Sequence, residues 1–256
     1  MKMLLQNKVI LVVGAGGLLG REIVRSVVRE GGRVIAADMD KASVSGLAQE
    51  FGKKSVFPVQ IDITDNSSIE SVFDIAAEFG LKITGAVNSA YPRNKNYGRK
   101  VLEVTYQDFC ENLSLHLGGY FLFMQFCARY AKEKQLEFSL VNISSIYGVI
   151  APRFDIYAGT EMTVPVEYAA SKSALIHLNS YFTAFTKGTR FRVNSVSPGG
   201  IFDQQDENFL EAYRSHSRSI GMLNKESVVG PIIFLLSDSS EYVCGQNMVV
   251  DDAFSV

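Results

Sequence analysis

The stretch Val9-Ile-Leu-Val-Val-Gly-Ala-Gly-Gly-Leu-Leu-Gly20 decides the fold of this chain. An aliphatic run predicts a buried strand, and the glycines after it open a helix. Glycine permits a tight turn and lets the backbone approach a pyrophosphate, whose charge then lies at the N-terminus of the helix. Gly14, Gly17 and Gly20 follow a G-x-x-G-x-x-G spacing, with Gly16 between them. The stretch therefore predicts a dinucleotide-binding turn.

An acidic residue ends the second predicted strand. Asp38 follows Arg33 to Ala37, about 20 residues after the glycines, as dinucleotide binding requires. A carboxylate there accepts both ribose hydroxyls of NAD and repels the 2′-phosphate of NADP. Met39 and Asp40 follow it, so no cation is adjacent. We therefore predict NAD as the cofactor, preferred over NADP; the alternative is a solvated acid at the end of a strand.

Short apolar runs alternate with longer amphipathic stretches along residues 1–256, and no linker divides them. This pattern predicts an α/β fold with one domain, a doubly wound parallel sheet and helices on both faces. A β/α barrel is the second choice, which the glycine turn disfavours. The predicted strands are 9–13, 33–37, 55–59, 83–87, 138–143, 190–196 and 248–250, and the predicted helices are 18–30, 41–51, 66–79, 106–132, 167–187 and 225–236.

The composition excludes several other classes of protein. Hydrophobic residues make up 47% of the 256 residues, which excludes a disordered chain. A net charge of -2 gives the chain no overall positive potential that would attract nucleic acid or an anionic membrane surface. Cys110, Cys127 and Cys244 are too far apart for a metal site or a disulfide framework, so no metal is expected. With no signal peptide or membrane span in the pattern, we expect a cytoplasmic protein.

A tyrosine and a lysine share one face of a predicted helix. In Tyr168-Ala-Ala-Ser-Lys172 the phenol and the ammonium lie at positions i and i+4. A neighbouring cation favours phenolate and lowers the pKa of the phenol, so Tyr168 is a candidate acid or base. Ser144 and Ser145 end a predicted strand, where open α/β sheets place their ligand crevice. Either hydroxyl could donate a hydrogen bond to a carbonyl oxygen.

These motifs occur together in the order found in one family. The glycine turn, Asn88-Ser-Ala90, Ser145, Tyr168-x-x-x-Lys172 and Ser197-Pro-Gly199 resemble the short-chain dehydrogenase/reductases over essentially the whole chain. The resemblance implies a Rossmann-type sheet of about seven strands and hydride transfer between NAD(P) and an alcohol or carbonyl. It also implies a homodimer or homotetramer.

The resemblance assigns a role to each matching residue. Ser145 would polarise the carbonyl, Tyr168 would transfer the proton, and Lys172 would bind the nicotinamide ribose and depress the pKa of Tyr168. The other cofactor-binding residues that it implies are Gly14, Gly16, Gly17, Leu18, Leu19, Gly20, Asp38, Asp62, Ile63, Asn88, Ser89, Ala90, Pro198, Gly199 and Ile201.

Two departures from the family pattern affect these roles. The usual middle glycine of the turn is Leu18, so the spacing is closer to that of the extended subfamily. The helix asparagine, which holds a proton-relay water in the family, is replaced by His116. We expect His116 either to hold that water through a ring nitrogen or to be packed in the helix without a catalytic role.

Three segments are expected to border the substrate. Residues 91–100 carry four cations and two tyrosines, which suits a phosphate or carboxylate, although a solvated loop is the alternative. Residues 146–167 form a longer interval than the family usually has and are expected to shape the pocket. Residues 202–222 are expected to form a mobile lid.

The sequences around Tyr147 and in the C-terminal tail resemble those of oxidoreductases of bacterial surface-sugar and flagellin-modification pathways. We therefore expect a phosphorylated or nucleotide-linked sugar as substrate, with a small ketone or polyol as the next choice. The long apolar stretches 106–132 and 167–187 are expected to pair across a two-fold axis.

Two other functions remain possible on this fold. A sugar-nucleotide epimerase or dehydratase would keep NAD permanently bound, and the glycine spacing favours it. The absence of a large substrate domain from the sequence pattern disfavours it. A non-catalytic NAD sensor is disfavoured because Ser145, Tyr168 and Lys172 are all present.

Overall fold

The computed structural model describes residues 3–256 and contains one seven-stranded parallel sheet with the order β3-β2-β1-β4-β5-β6-β7. Its order reverses beside β1, which pairs with both β2 and β4. The strands are β1 (Val9–Val13), β2 (Arg33–Asp38), β3 (Val56–Gln60), β4 (Gly85–Asn88), β5 (Phe138–Ile143), β6 (Phe191–Pro198) and β7 (Asn247–Val250).

Helices cover both faces of this sheet. They are α1 (Leu18–Arg29), α2 (Lys41–Ser45), α3 (Leu47–Phe51), α4 (Asn66–Glu78), α5 (Tyr106–Leu113), α6 (Gly119–Glu133), α7 (Val166–Phe185), α8 (Glu207–Ser215) and α9 (Lys225–Leu236). The predicted doubly wound fold is confirmed. A closed barrel is excluded because β3 and β7 are the open edges of the sheet.

The alternating side chains of β1 show why its sequence is apolar throughout. Leu11 packs into the core beneath α4, α6 and α7, whereas Ile10 and Val12 pack against α1 and α9 on the opposite face. A strand buried on both faces reads as a continuous apolar run. Burial of each such side chain stabilises the fold by about 1.5–3 kcal/mol.

Two predicted helices are interrupted in the structure. The helix predicted over 41–51 divides at Gly46 into α2 and α3. The helix predicted over 106–132 contains a π-helical turn, Ser114–Gly118, between α5 and α6. Such turns insert one extra residue per turn and are frequent at functional sites. This turn carries His116.

A third apolar cluster joins three segments near the C-terminal ends of β5 and β6. It contains Ile146 and Ile156 from the interval after Ser145, Phe209 and Tyr213 from α8, and Phe254 from the C-terminal tail. This cluster forms one wall of the site. None of the helices within residues 3–256 is long and apolar enough to cross a membrane.

Candidate active site

The glycine turn brings β1, α1 and the end of β4 into close contact. Gly14 has a φ of +76°, and a Cβ there would lie 2.9 Å from the backbone nitrogen of Ala90. A Cβ on Gly20 would lie 1.9 Å from the carbonyl oxygen of Gly14. Only glycine fits at either position. The turn therefore leaves backbone N–H groups at the start of α1 free to meet an anion.

Asp38 lies in a groove of about 230 Å³ beside this turn. Its Oδ2 accepts a hydrogen bond of 3.0 Å from the amide of Gly16, and its Oδ1 accepts one of 3.2 Å from the amide of Asp40. The carboxylate is therefore fixed at the end of β2. Seven residues of the predicted cofactor set line the groove: Gly14, Gly17, Asp38, Asp62, Ile63, Ser89 and Ala90.

A second cleft, of about 530 Å³, adjoins the groove and shares Ser89, Ala90 and Tyr91 with it. It brings together the remaining predicted site residues except four. Those lining it are Leu18, Leu19, Ser145, Tyr168, Lys172, Pro198, Gly199 and Ile201. The four that line neither space are Gly16, Gly20, Asn88 and His116.

Asn88 supports the groove from beneath. It is fully buried, and its Oδ1 accepts a hydrogen bond of 3.2 Å from the amide of Ala90. The neighbouring Ser89 hydroxyl donates to the carbonyl oxygen of Val13 at 2.7 Å. The Ser89 bond ties the end of β4 to β1, and the Asn88 bond fixes the turn that follows β4, so both side chains hold the backbone beside the groove.

The two serines at the end of β5 have different partners. Ser144 is committed to α7, because its hydroxyl donates to the carbonyl oxygen of Lys172 at 2.9 Å. The Ser145 oxygen accepts a hydrogen bond of 3.1 Å from the amide of Tyr147, and its hydroxyl faces the Tyr168 phenol. The Ser145 hydroxyl is therefore directed to Tyr168 and the cleft rather than to a backbone carbonyl, which favours Ser145 over Ser144.

Lys172 is buried among aromatic rings. Its Nζ donates to the carbonyl oxygen of Ile143 at 2.7 Å and lies 5.2, 5.5 and 5.9 Å from the ring centroids of Tyr120, Tyr168 and Tyr91. Desolvation lowers the pKa of Lys172 to about 7. Cation–π attraction from the surrounding rings favours the charged form and opposes that loss.

Tyr168 differs from the expectation drawn from its spacing to Lys172. Burial raises the pKa of the Tyr168 phenol above its ordinary value, and the Ser145 hydroxyl partly offsets this by hydrogen bonding. A pattern of i and i+4 predicts proximity but not the depth of burial. Desolvation of the phenolate therefore sets the direction of the pKa shift, and the neighbouring lysine does not reverse it.

His116 lies behind the cleft in the π-helical turn. It is 5% exposed, stacks on Tyr120 with ring centroids 5.1 Å apart, and meets the edge of Tyr91 at 5.2 Å. Burial, and then the charge of Lys172, lower the pKa of His116 to about 2, so the ring is neutral. Its Nε2 has no hydrogen-bond partner within residues 3–256. The ring thus offers a buried, unpartnered nitrogen close enough to Lys172 for the lysine charge to affect its pKa.

Sequence reasoning missed a buried polar chain beside Tyr168. Glu167 is 1% exposed, and its Oε1 accepts a hydrogen bond of 3.2 Å from the side-chain Nδ2 of Asn112. The side-chain Oδ1 of Asn112 accepts one of 2.9 Å from the backbone amide of Asn94. These contacts connect the start of α7 to α5 and to residues 91–100. No pattern in the sequence marks them, because each residue by itself is typical of a solvated surface.

The loop at residues 91–100 is held in place by an acidic residue on α5. Asp108 accepts hydrogen bonds from the side chains of Asn94, Asn96 and Arg99 in the loop. It also accepts one from the Thr105 hydroxyl, and the bonds from Asn96 and then Thr105 lower the pKa of its carboxyl most. One of the four cations of the loop is thus paired. Hydrogen bonds to α5 therefore hold the loop in place, and Arg99 is the cation of the loop that pairs with Asp108.

The segment predicted to be a lid contains α8 and has several fixed contacts. The Tyr213 hydroxyl accepts a hydrogen bond of 2.6 Å from the amide of Gly200. The Asp252 carboxylate accepts hydrogen bonds from the Ser219 hydroxyl and from the amides of residues 219, 220 and 221. The hydroxyl, and then the amides, lower the pKa of the carboxyl to about 2. These contacts mark where the segment is attached to the rest of the fold.

Comparison with known proteins identifies the family. A family model described as enoyl-(acyl carrier protein) reductase matches residues 14–255. A short-chain dehydrogenase from Leptospira borgpetersenii, solved with bound NAD+, is 31% identical with a TM-score of 0.87, over 98% of this chain and 94% of the other. The chain belongs to the short-chain dehydrogenase/reductase family. The resemblance drawn from the motifs is confirmed.

Two curated relatives of this short-chain dehydrogenase/reductase extend the comparison. The post-translational flagellin modification protein A of Campylobacter coli is 39% identical, over 99% of this chain and 100% of the relative. The 3-oxoacyl-[acyl-carrier-protein] reductase FabG of Thermotoga maritima is 31% identical, over 97% and 98%. The chain is thus an oxidoreductase of this family, similar along its whole length to proteins of different named functions.

Proposed function

We propose that this protein transfers a hydride between NAD and an alcohol or carbonyl on a phosphorylated or nucleotide-linked sugar. The observation that carries the proposal is the meeting of Ser145, Tyr168 and Lys172 in a cleft that adjoins the glycine groove. The groove fits the cofactor, because the close backbone packing at Gly14 and Gly20 holds the N-terminus of α1 beside it and the Asp38 carboxylate lines it. Bound NAD would supply or accept the hydride.

Each of the three side chains has a distinct task in this proposal. The Ser145 hydroxyl, which faces Tyr168 in the cleft, donates to the oxygen of the reacting carbonyl and polarises it. The Tyr168 phenol, kept protonated by burial, gives its proton to that oxygen in reduction and takes it back in oxidation. Lys172 would hold the nicotinamide ribose and, when charged, favour the phenolate.

His116 is proposed as a positioning residue behind Lys172. A neutral, buried ring with an unpartnered Nε2 can accept a hydrogen bond from a water on the lysine side. That water would connect the ammonium to solvent and let the proton used by Tyr168 be replaced. The polar atom and its burial support this role over simple packing.

The proposed substrate class draws on the flagellin-modification relative and on the cations beside the cleft. Arg93 lies over the rings of Tyr91 and Tyr97, at 5.2 and 5.9 Å, and Tyr91 lines the cleft. Lys95 and Lys100 lie on the same loop. The anionic part of a sugar substrate would be bound at this rim rather than inside the cleft.

The test of the proposed function is NADH absorbance with a panel of sugar phosphates, nucleotide sugars, small ketones and polyols. We expect turnover with a phosphorylated or nucleotide-linked sugar. Turnover restricted to small ketones or polyols would overturn the substrate class. Tightly bound NAD released on denaturation, without net NADH change, would instead indicate an epimerase or dehydratase.

We expect NAD(H) to bind well over tenfold more tightly than NADP(H), a difference above about 1.4 kcal/mol. The Asp38 carboxylate, fixed by Gly16, would repel a 2′-phosphate. Isothermal titration of both cofactors measures this difference. Asp38→Asn removes the charge and should reduce the preference, whereas Asp65→Asn, at the start of α4, should not. Equal affinities in the wild type would contradict the prediction.

We expect the protein to be a homodimer or homotetramer in solution. Tyr181 and Phe185 on α7 are 61% and 71% exposed beside Phe121 of α6, an aromatic face typical of an interface. Light scattering of the wild type should give a multiple of 28.2 kDa. Phe185→Glu should shift the mass towards the monomer, whereas Phe79→Glu, at the end of α4, should not. A monomeric wild type at micromolar concentration would rule out this assembly.

We also propose that residues 1–256 act as one domain. Residues 202–222 are proposed to close over the substrate, and the protein is proposed to be cytoplasmic. Support for closure comes from Phe209, Tyr213 and Met222, which line the cleft from this segment. Support for the location comes from Cys110, Cys127 and Cys244, which are free thiols.

A further inference from the structure

The cleft is walled by neutral groups. Among residues 3–256, the single Lys, Arg, Asp, Glu or His that lines it is Lys172, whose ammonium is directed to the carbonyl oxygen of Ile143. The rest of its polar lining comes from hydroxyls, one amide side chain and the backbone. A ligand part that lies in this cleft therefore meets hydroxyl groups and aromatic rings rather than charges.

Two tyrosine hydroxyls meet in this wall. Tyr147 follows the end of β5, and Tyr157 ends the 3-10 turn Phe154–Tyr157 in the long interval before Tyr168. Their hydroxyl oxygens are 3.1 Å apart, and both residues line the cleft. The long interval after Ser145 thus places a second hydroxyl beside one that the β5 loop supplies.

The pair has one uncommitted proton. A phenol carries one hydrogen, and the contact between the two oxygens uses one of the two hydrogens. Neither hydroxyl has another hydrogen-bond partner in the described part of the chain. Burial raises the pKa of both phenols, so both stay protonated. Either oxygen can be the donor within the pair, so the pair presents one free proton to the cleft.

The interval that carries Tyr157 is anchored on both sides. Ile156 is buried, and the Tyr157 ring lies 5.2 Å from that of Phe209 on α8. The Asp155 carboxylate lies 2.8 Å from Nε2 of His216 at the end of α8. The two hydroxyl oxygens therefore have fixed positions, and a ligand group that meets them requires little reordering of the wall.

We propose that the Tyr147–Tyr157 pair binds a hydroxyl oxygen on the ring of the substrate, and that Tyr157 is a specificity-determining residue. This inference rests on the proposed function and deepens it. The part of the substrate inside the cleft is an uncharged, hydroxyl-rich ring, whose C–H faces pack on the aromatic wall while an oxygen accepts the free proton of the tyrosine pair. Any phosphate or nucleotide lies outside, at the rim.

The experiment compares two ring compounds that differ in their hydroxyl groups. Myo-inositol and cyclohexanol are titrated against the enzyme–NADH complex, with NADH fluorescence and calorimetry as readouts. The wild type should bind myo-inositol more tightly than cyclohexanol. Tyr157→Phe deletes the hydroxyl and keeps the ring, and it should weaken myo-inositol binding about five- to tenfold, the scale of one neutral hydrogen bond. Cyclohexanol binding should change less than twofold.

Two further variants are compared, a second test of the pair and a control. Tyr147→Phe should weaken myo-inositol binding in the same way, because the pair orients the free proton. Tyr242→Phe, at a residue 92% exposed that does not line the cleft, should change neither titration. Thermal melting of each variant checks that the fold is kept.

Three results would overturn the inference. They are equal wild-type affinities for the two rings, unchanged myo-inositol binding by Tyr157→Phe, and an equal loss for both compounds, which would indicate a displaced ring. The titrations require no turnover. Failure of hydride transfer is therefore distinguishable from failure of hydroxyl recognition.

Discussion

Tyr168→Phe should lower turnover by at least about 10²-fold, the scale of general acid–base catalysis, with little loss of NAD affinity. The variant removes the transferable proton and keeps the ring that packs against Tyr91, 5.7 Å away between centroids. Steady-state kinetics with a substrate found by screening, together with NAD titration, measures both effects. Tyr181→Phe, an exposed tyrosine on the same helix, is the matched control and should retain full turnover.

Variants of Ser145 and His116 separate proton transfer by Tyr168 from carbonyl polarisation and from water binding. Ser145→Ala should lower the rate without moving the basic-side limit of the pH–rate profile. His116→Asn should retain more activity than His116→Leu, because an amide can still bind water. Near-wild-type turnover by Tyr168→Phe would contradict the assignment. If His116→Leu were then inactive, the chemistry would lie at the histidine instead.

Lys172→Met should weaken NAD binding by tenfold or more and reduce turnover, because the ammonium is expected to donate to the ribose. It should also move the basic-side limit of activity to higher pH. The Tyr168 phenol, whose pKa burial already raises, would lose the cation that lies beside its ring. A pH–rate profile at saturating NAD measures the limit. An unchanged affinity and an unchanged limit together would contradict the role of Lys172.

The same substitution should stabilise the fold at neutral pH. Burial lowers the pKa of Lys172 to about 7 from its higher value in the unfolded chain. The unfolded state therefore binds more protons above pH 7, so the cost of burial is fully present below that pH and disappears as the pH rises towards about 10. Lost hydrogen bonding to Ile143 offsets part of the gain, by about 1 kcal/mol.

Thermal melting of the wild type and Lys172→Met across this pH range tests the linkage. The variant should melt several degrees higher near pH 7, and the difference should shrink as the pH rises. Lys132→Met, on the exposed end of α6, is the control and should show no such trend. A difference that grows with pH would mean that the ammonium stabilises the folded state rather than destabilising it.

Much of the fold could be predicted from periodicity and glycine spacing. The predicted first strand coincides with β1, and Asp38 ends β2 beside the glycine turn. Parallel strands and right-handed crossovers then place Ser145, Tyr168 and Lys172 at one edge of the sheet. The π-helical turn at His116 could not be predicted in this way, because an amphipathic pattern does not reveal one extra residue in a turn.

The doubly wound sheet, the groove beside the glycine turn and the residue types that face it follow from the sequence alone, because they depend on local backbone freedom and on alternating hydrophobicity. The burial of each polar group and its hydrogen-bond partners are known only from the folded chain. Glu167 meets Asn112, Tyr147 meets Tyr157, and Lys172 is enclosed by three rings. Residues far apart in the chain make these contacts. Desolvation depends on everything packed around a group, so the rise in the pKa of Tyr168 and the fall in that of Lys172 could come only from the folded protein.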